Sequence, residues 1–175
     1  MKTLTLKEID EVRKTGYRPS VICCCVHDKK VLFLYKKEFS MWMFPQSSVR
    51  NKEELVEAAG REIREELGES FAKNCNSADA FAFGEDMIEF LPEKQNLEEL
   101  KTDDGQECKM LGKKYFYCAV AAKDETLNIS ETQYDDHYWL EFQPAMFLAK
   151  KIHQPGKRRI TMKALELLKS LDLIG

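Results

Sequence analysis

Residues 53–68 read EELVEAAGREIREELG and carry the strongest periodic pattern in the chain. Placed on a helix, Ala59, Ile63 and Leu67 recur every four residues and form an apolar stripe, with Val56 beside them. A helix of this kind packs its stripe against a core and leaves its other faces to water. The sequence therefore predicts one amphipathic helix over residues 53–68.

Three carboxylates crowd a neighbouring arc of this helix. Glu62 and Glu66 are four residues apart, and Glu65 is three residues from Glu62. Like charges at this spacing repel one another, and Arg61, four residues before Glu65, offsets only part of that cost. A hard cation over the arc would account for the cluster, because Mg²⁺ and Mn²⁺ prefer oxygen ligands. The alternative is a solvated helix face that is rich in glutamate.

The spacing of these residues resembles the signature of the Nudix hydrolases, G-x5-E-x7-R-E-U-x-E-E-x-G-U. Its first Glu falls on Glu53, and the rest of the motif follows over residues 61–68. The chain departs at the two ends, where Ser47 replaces a glycine and Glu69 replaces an apolar residue. The resemblance implies an α/β Nudix fold, in which a mixed β-sheet is sandwiched between helices.

Composition places the chain among ordinary globular proteins. Its 175 residues are 43% hydrophobic and 33% charged, which suits one domain over residues 1–175. The N-terminus has no apolar stretch, so we expect neither export nor membrane insertion. The six cysteines include the run 23–25 but no CxxC pair, a usage that favours free thiols in a reducing cytoplasm. The net charge of −3 excludes a broadly basic nucleic-acid surface but not a local basic pocket.

Other patterns predict the remaining elements in outline. Polar residues 1–15 form a short N-terminal helix or arm, and the aperiodic charged residues 93–107 form a mobile surface loop, with low-complexity disorder as the alternative. A terminal helix is marked by the near-helical spacing of four apolar residues, Ile160, Ala164, Leu168 and Leu171. Strands are predicted within residues 21–26, 31–35, 80–90, 115–122 and 138–140.

Outside the acidic helix the chain is similar to one branch of the Nudix family, the bacterial RNA 5′-pyrophosphohydrolases, also described as dinucleoside polyphosphate hydrolases. Their Y-R-P-N-V segment is matched by GYRPSV at 16–21, and their W-Q-F-P-Q-G-G by WMFPQSS at 42–48. Weaker echoes follow in the same order at 90–92 (FLP), 114–116 (KYF) and 156–158 (GKR). The resemblance thus covers most of the chain from residue 16 onward.

The chain also departs from this branch at positions that the family uses. Ser47 and Ser48 replace two adjacent glycines, and Lys52 replaces the glycine before the first Glu of the motif. Glycine at such places serves tight turns and a close approach of backbone to phosphate. A further glutamate ligand of the family aligns with the neutral Gln133, for which Glu131 or Asp135 is the nearest acidic substitute.

The resemblance assigns roles to individual residues. It makes Glu62, Glu65 and Glu66 ligands of Mg²⁺ or Mn²⁺, and Glu65 the leading candidate for the general base. Glu53 orients Arg61 or the nearby loop, and Gly68 closes the motif. Substrate phosphate is expected on cationic side chains at motif positions, among which a functional role is favoured most for the first: Arg18, Lys36, Lys114, Lys157 and Arg158.

Two functions from different classes follow from these patterns. The first is Mg²⁺-dependent hydrolysis of a nucleoside polyphosphate, either a 5′-phosphorylated RNA end or a dinucleoside polyphosphate. The second is a Nudix-fold module with little hydrolysis that binds a nucleotide, an RNA end or a protein partner. The intact carboxylate trio favours the enzyme, whereas Ser47, Ser48 and Gln133 favour the binding module.

Overall fold

The computed structural model describes residues 4–175, which contain five α-helices and nine strands. Seven of the strands form a mixed sheet with helices on both faces, and the other two pair in a separate ribbon. This architecture confirms the fold class predicted from the sequence. The elements, in chain order, are α1 (Leu6–Lys14), β1 (Tyr17–His27), β2 (Lys30–Lys36), β3 (Met41–Met43), β4 (Gln46–Ser48), α2 (Leu55–Leu67), α3 (Glu69–Asn74), β5 (Cys75–Glu89), β6 (Leu100–Lys101), β7 (Glu107–Cys108), β8 (Gly112–Ala122), β9 (Asp136–Leu140), α4 (Phe142–Lys150) and α5 (Pro155–Ser170).

The main sheet has the strand order β3-β2-β1-β8-β5, and its central pair β1 and β8 is parallel. The other edge of β1 is shared by two antiparallel partners. The strand β4 pairs with residues 20–22 of β1, whereas β2 pairs with residues 26–27 of β1 and, through its own residues 31–35, with β9. Along this edge of β1 the sheet therefore splits into two branches, one formed by β4 and the other by β2. We call this the divided edge of the sheet.

Side chains alternate along the strands and form one core on each face of the sheet. Val21 and Phe116 belong to the core beneath α2, whereas Ile22 and Tyr117 belong to the core beneath α4 and α5. The cysteine run 23–25 alternates in the same way, and all six cysteines are free. Across residues 4–175, every helix is too short or too polar to cross a lipid bilayer.

The N-terminal segment is a packed helix rather than an arm. Residues 1–3 lie outside the described part, and α1 begins with a capping box between Thr5 and Glu8. Ile9 is buried in the core, and the buried Arg13 donates to the Val49 carbonyl at 3.1 Å. Arg13 also pairs with Asp103 at 3.0 Å, which ties this helix to the segment after β6.

Residues 93–107 have more regular structure than their aperiodic sequence indicated. The strand β6 pairs with β7 in a small ribbon of its own, and Leu100 and Thr102 are buried. Asp103 accepts hydrogen bonds from the Asn51 side chain at 3.0 Å and from the Lys52 N–H at 2.9 Å. Contacts distant in sequence hold this ribbon, so local periodicity gave no sign of it.

Candidate active site

The helix α2 carries the acidic cluster along the divided edge of the sheet. Its stripe of Ala59, Ile63 and Leu67 is buried in the core, which confirms the face predicted from spacing. A capping box fixes the start of the helix, where the Glu54 N–H donates to the Glu57 carboxylate at 2.9 Å. The later turns, which hold the carboxylates, are therefore anchored from both the core and the N-terminus.

Glu62 is the unusual member of the cluster because its side chain is buried. The residue is only 2% exposed, and its Oε1 has no hydrogen-bond partner within residues 4–175. Burial raises its pKa, and the charges of Glu66 and Glu65 add to the rise. Ser47 and Arg61 oppose the rise, although the buried Ser47 Oγ likewise makes no hydrogen bond. A buried, unpartnered carboxylate oxygen is costly to keep and points to a missing positive partner.

Tyr134 lies over the same cluster. Burial is the largest effect that raises the pKa of Tyr134, and the neighbouring carboxylates of Glu66 and Glu62 raise it further. The Lys36 ammonium lies 5.6 Å from the centroid of the Tyr134 ring. Lys36, one of the predicted phosphate contacts, therefore borders the glutamate cluster.

Glu65 differs from Glu62 because its side chain is 48% exposed. It pairs with Arg50 and with Arg61, each at 3.3 Å. Arg61 in turn holds Glu53 in a two-point contact of 2.7 and 2.9 Å, and it donates to the Ser48 carbonyl at 3.1 Å. The Arg50 N–H donates to Glu53 at 2.7 Å. Glu53 thus orients both Arg61 and the loop before α2.

The end of α2 depends on Gly68, whose φ of +89° favours glycine. A Cβ at this position would meet the Cβ of Glu131 at 2.9 Å. Gln133 closes the same end, because its N–H donates to the Glu66 carbonyl at 2.9 Å and its side-chain amide donates to the Glu65 carbonyl at 3.3 Å. Gln133 therefore satisfies two carbonyl groups at the C-terminal end of the helix.

The two acidic residues nearest to Gln133 in sequence are engaged elsewhere. Glu131 accepts from the Asn128 amide at 3.1 Å, and Asp135 accepts from the Lys37 N–H at 2.7 Å. The first contact is local, within the turn before Glu131, whereas the second joins Asp135 to the residue that follows β2. Neither carboxylate joins the cluster on α2 in this conformation.

The three residues that replace glycines of the resembling family differ in their backbone conformation. Ser47 and Ser48 lie in β4, and neither has a positive φ, so their backbone does not require glycine. Lys52 has a φ of +58°, a left-handed conformation that costs free energy for a residue with a Cβ. The strain therefore falls on Lys52, in the loop before α2, and not on the serines beside Glu62.

The acidic cluster fits a cation held by two protein carboxylates. Within residues 4–175, no three acidic, histidine or cysteine side chains converge to enclose a metal ion. The pairing of Glu65 with arginines explains this result, and it leaves Glu62 and Glu66 as neighbouring carboxylates. Mg²⁺ is commonly bound through one or two carboxylates, with substrate phosphates and water as its other ligands. The unpartnered Oε1 of Glu62 suits such an ion.

Three cationic side chains gather on the other face of the sheet, below α5. Arg18 of β1 lies beside Lys113 of β8 in the parallel register. Burial and the charge of Arg18 lower the pKa of Lys113, which Glu98 partly restores. Burial and the charge of Lys113 lower the pKa of Lys157 to about 8. We call Arg18, Lys113 and Lys157 the cationic cluster.

Lys113 was not predicted from the sequence, whereas Lys114 and Arg158 were predicted and lie elsewhere. Lys114 points to the opposite face, where it pairs with Glu85 at 2.9 Å. Arg158 donates to the Ile152 carbonyl at 3.3 Å, near the end of α4. Lys113 and Lys114 are consecutive residues of one strand, so their side chains point to opposite faces of the sheet. The sequence alone does not show which of the two faces the site.

The strand β4 connects the cationic cluster to the glutamates. The Gln46 side chain accepts a hydrogen bond from the Lys157 ammonium on the α5 side. Ser47, the next residue, lies beside Glu62 on the α2 side. Successive side chains of a strand point to opposite faces, so a polyphosphate that crosses the divided edge can meet both groups.

Comparison with known proteins places these features in a family. A profile of the NUDIX domain matches residues 16–163, which include α2, the divided edge and the cationic cluster. A comparison with curated protein sequences found no match. The family match therefore rests on the domain as a whole and not on one relative.

Solved structures share the fold at low sequence identity. The E. coli dihydroneopterin triphosphate pyrophosphohydrolase aligns with a TM-score of 0.57 at 16% identity, over 84% of this chain and 95% of that chain. An ADP compounds hydrolase aligns with a TM-score of 0.55 at 15% identity, over 88% and 74%. A C. elegans Ap4A hydrolase aligns with a TM-score of 0.52 at 12% identity, over 89% and 98%. Identities this low establish the common fold alone.

Proposed function

Because the chain belongs to the NUDIX domain family, we propose that it hydrolyses a pyrophosphate bond in a nucleoside polyphosphate, with Mg²⁺ or Mn²⁺ as its cofactor. Family membership supports hydrolysis of a pyrophosphate bond, and the substrate and the ion are further parts of the proposal. The observation that carries it is Glu62, a buried carboxylate whose Oε1 lacks a partner beside two further glutamates. An arc of this kind has no folding role that would offset its cost.

The proposal gives the three glutamates of α2 different roles. Glu62 and Glu66 would hold the ion, which when bound polarises the phosphoryl oxygens and acidifies a bound water. Glu65 is the proposed general base, positioned by Arg50 and Arg61. Both contacts measure 3.3 Å, longer than usual for charged hydrogen bonds, so the two arginines orient the carboxylate without a close contact.

The cationic cluster is the proposed phosphate subsite. Arg18 offers a planar guanidinium, which can contact two phosphate oxygens at once. Lys157 is desolvated by burial and repelled by Lys113, and the attraction of an anion bound between the two ammonium groups would offset both costs. Lys36 approaches the glutamates from the side of Tyr134 and is proposed to contact the phosphate nearest the ion.

The substrate class is proposed to be a 5′-phosphorylated RNA end or a dinucleoside polyphosphate. The motifs at 16–21 and 42–48 support this choice, and the fold is shared with an Ap4A hydrolase and an ADP compounds hydrolase. The free cysteines support a reducing cytoplasm as the compartment, because oxidising compartments favour disulfides.

One observation supports a second candidate, a Nudix-fold binding module. Glu65 is held by two arginines, and the aligned fourth ligand position is the neutral Gln133, which serves the helix end. A site with only two carboxylates would bind an ion and phosphates while it accelerates hydrolysis less. In that case the cationic cluster would retain its ligand without turnover.

Product analysis separates the two candidates. Wild type is incubated with 5′-triphosphorylated RNA or diadenosine tetraphosphate, in Mg²⁺ and in EDTA. We expect cleavage in Mg²⁺ only, and its loss in Glu62→Gln. The matched control is Glu69→Gln, which removes an exposed carboxylate that pairs only with Arg64, and it should retain activity. Binding of both substrates without any product would favour the binding module.

A further inference from the structure

A small apolar cavity lies next to the cationic cluster and has no part in the site described above. It measures about 260 Å³, and its walls are Phe90, Leu97 and Met110, with Lys94 and Glu98 at the rim. Known pockets for drug-sized ligands begin at about 300 Å³, so this cavity suits a single ring system. Its apolar walls fit the faces of a planar group, and its charged rim fits polar edges.

Backbone hydrogen bonds shape the cavity from segments that are distant in sequence. The Phe90 N–H donates to the Leu111 carbonyl at 2.8 Å. Asn96 and Met110 exchange two bonds, since the Asn96 N–H donates to the Met110 carbonyl at 3.0 Å and the Met110 N–H donates to the Asn96 side chain at 2.9 Å. The walls therefore exist before any ligand binds, which lowers the entropy cost of binding.

Glu98 joins the cavity to the cationic cluster. Its carboxylate lines the cavity and forms an ion pair with Arg18, whose guanidinium also donates to the Glu99 carbonyl at 2.9 Å. The charge of Glu98 also acts on Lys113. An internal carboxylate thus occupies the place that a ligand phosphate would take, at one end of an apolar cavity.

An exposed leucine indicates that the cavity lacks its natural contact. Leu97 is 74% exposed although it lines the cavity, whereas Met110, which also lines it, is buried. A planar ring inserted between Phe90, Leu97 and Met110 would cover this apolar surface. The methionine suits varied ring shapes because its thioether side chain is flexible and polarizable.

We propose that this cavity is the nucleobase subsite of the enzyme, and that a substrate phosphate displaces Glu98 from Arg18 when the base enters. The inference rests on the proposed function, because it takes the ligand to be a nucleoside polyphosphate. An apolar cavity beside three cations is complementary to a ligand with one planar apolar end and one anionic end. Stacking on an aromatic side chain tolerates any base, since every base has a π-face.

The test compares ligands with and without a base. Affinities of wild type, Leu97→Ser and Leu91→Ser are measured by calorimetry for ATP, GTP and inorganic tripolyphosphate. We expect wild type to bind at least one nucleotide more tightly than tripolyphosphate. Leu97→Ser should weaken the nucleotide about tenfold and tripolyphosphate less than twofold. Leu91 is 60% exposed and does not line the cavity, so Leu91→Ser should change neither affinity.

A third variant tests the displacement of Glu98. Because Glu98→Gln removes the charge that competes for Arg18, tripolyphosphate affinity should rise severalfold in this variant. The inference is overturned if Leu97→Ser weakens both ligand types equally, if it weakens neither, or if no nucleotide binds better than tripolyphosphate. Hydrolysis is followed separately in Mg²⁺. Failure of turnover with intact base-dependent binding would reject the proposed activity and keep the cavity as a base subsite.

Discussion

Replacement of Lys157 by methionine should make the protein more stable and less able to bind polyphosphate. The ammonium of Lys157 is buried, contacts Gln46 and Tyr115, and lies near Lys113. Methionine has a similar length and no charge, so Lys157→Met keeps the packing and removes the desolvation penalty. A residue retained at such a cost is expected to serve binding.

The size of the gain follows from the pKa. Burial and Lys113 lower the pKa of Lys157 from its ordinary value of 10.5 to about 8, which corresponds to about 3 kcal/mol against the charged form. The variant loses a hydrogen bond to Gln46 and a cation–π contact of 5.1 Å with Tyr115, together about 1–2 kcal/mol. The net gain in unfolding free energy at pH 7 is therefore about 1–2 kcal/mol.

The dependence on pH has a definite sign. Between pH 8 and 10.5 the unfolded chain binds a proton at this lysine that the folded chain has released, so wild-type stability rises with pH. The advantage of Lys157→Met should therefore shrink over this window. Urea unfolding at pH 7, 9 and 10 measures it, with the exposed Lys169→Met as the control on the same helix. A less stable variant at pH 7, or a gain that is constant with pH, would refute the reasoning.

Three further changes test other parts of the site. Glu65→Gln should slow hydrolysis by a factor of about 10²–10⁴ while the melting temperature changes little, and unchanged turnover would exclude it as the base. Lys52→Gly should raise the unfolding free energy by about 1 kcal/mol, because the φ of +58° suits glycine, and a loss on urea unfolding would count against strain there. Gly68→Ala should cost about 1–3 kcal/mol, because its Cβ would meet Glu131 at 2.9 Å, and an unaffected midpoint would contradict this.

The sequence predicted those helices whose apolar residues recur at helical spacing. The helix α2 formed over its stripe, and the terminal helix formed over Ile160, Ala164 and Leu168. The predicted stripe was one residue too long, because Leu171 follows the last helical residue and is exposed. By contrast, α3 has six residues and one buried side chain, Phe71, too few for periodicity to register. The helix α4 was missed although its buried Ala145 and Ala149 are four residues apart.

The site was predictable in its residue types but not in its geometry. Spacing identified the three glutamates, yet only the fold shows that Glu62 is buried and that Glu65 turns to Arg50 and Arg61. Lys113 was missed because strand alternation leaves the choice between it and Lys114 open until the faces are known. Tertiary contacts decide these features, and local sequence does not encode them.

Binding of Mn²⁺ to the acidic cluster, followed by electron paramagnetic resonance, is the measurement on which the proposed function depends. We expect wild type to bind Mn²⁺ in the presence of a non-hydrolysable nucleotide analogue. The double variant Glu62→Gln with Glu66→Gln should lose at least tenfold in affinity, whereas Glu69→Gln should bind as wild type does. Equal Mn²⁺ affinity in wild type and the double variant would contradict a metal site at these carboxylates.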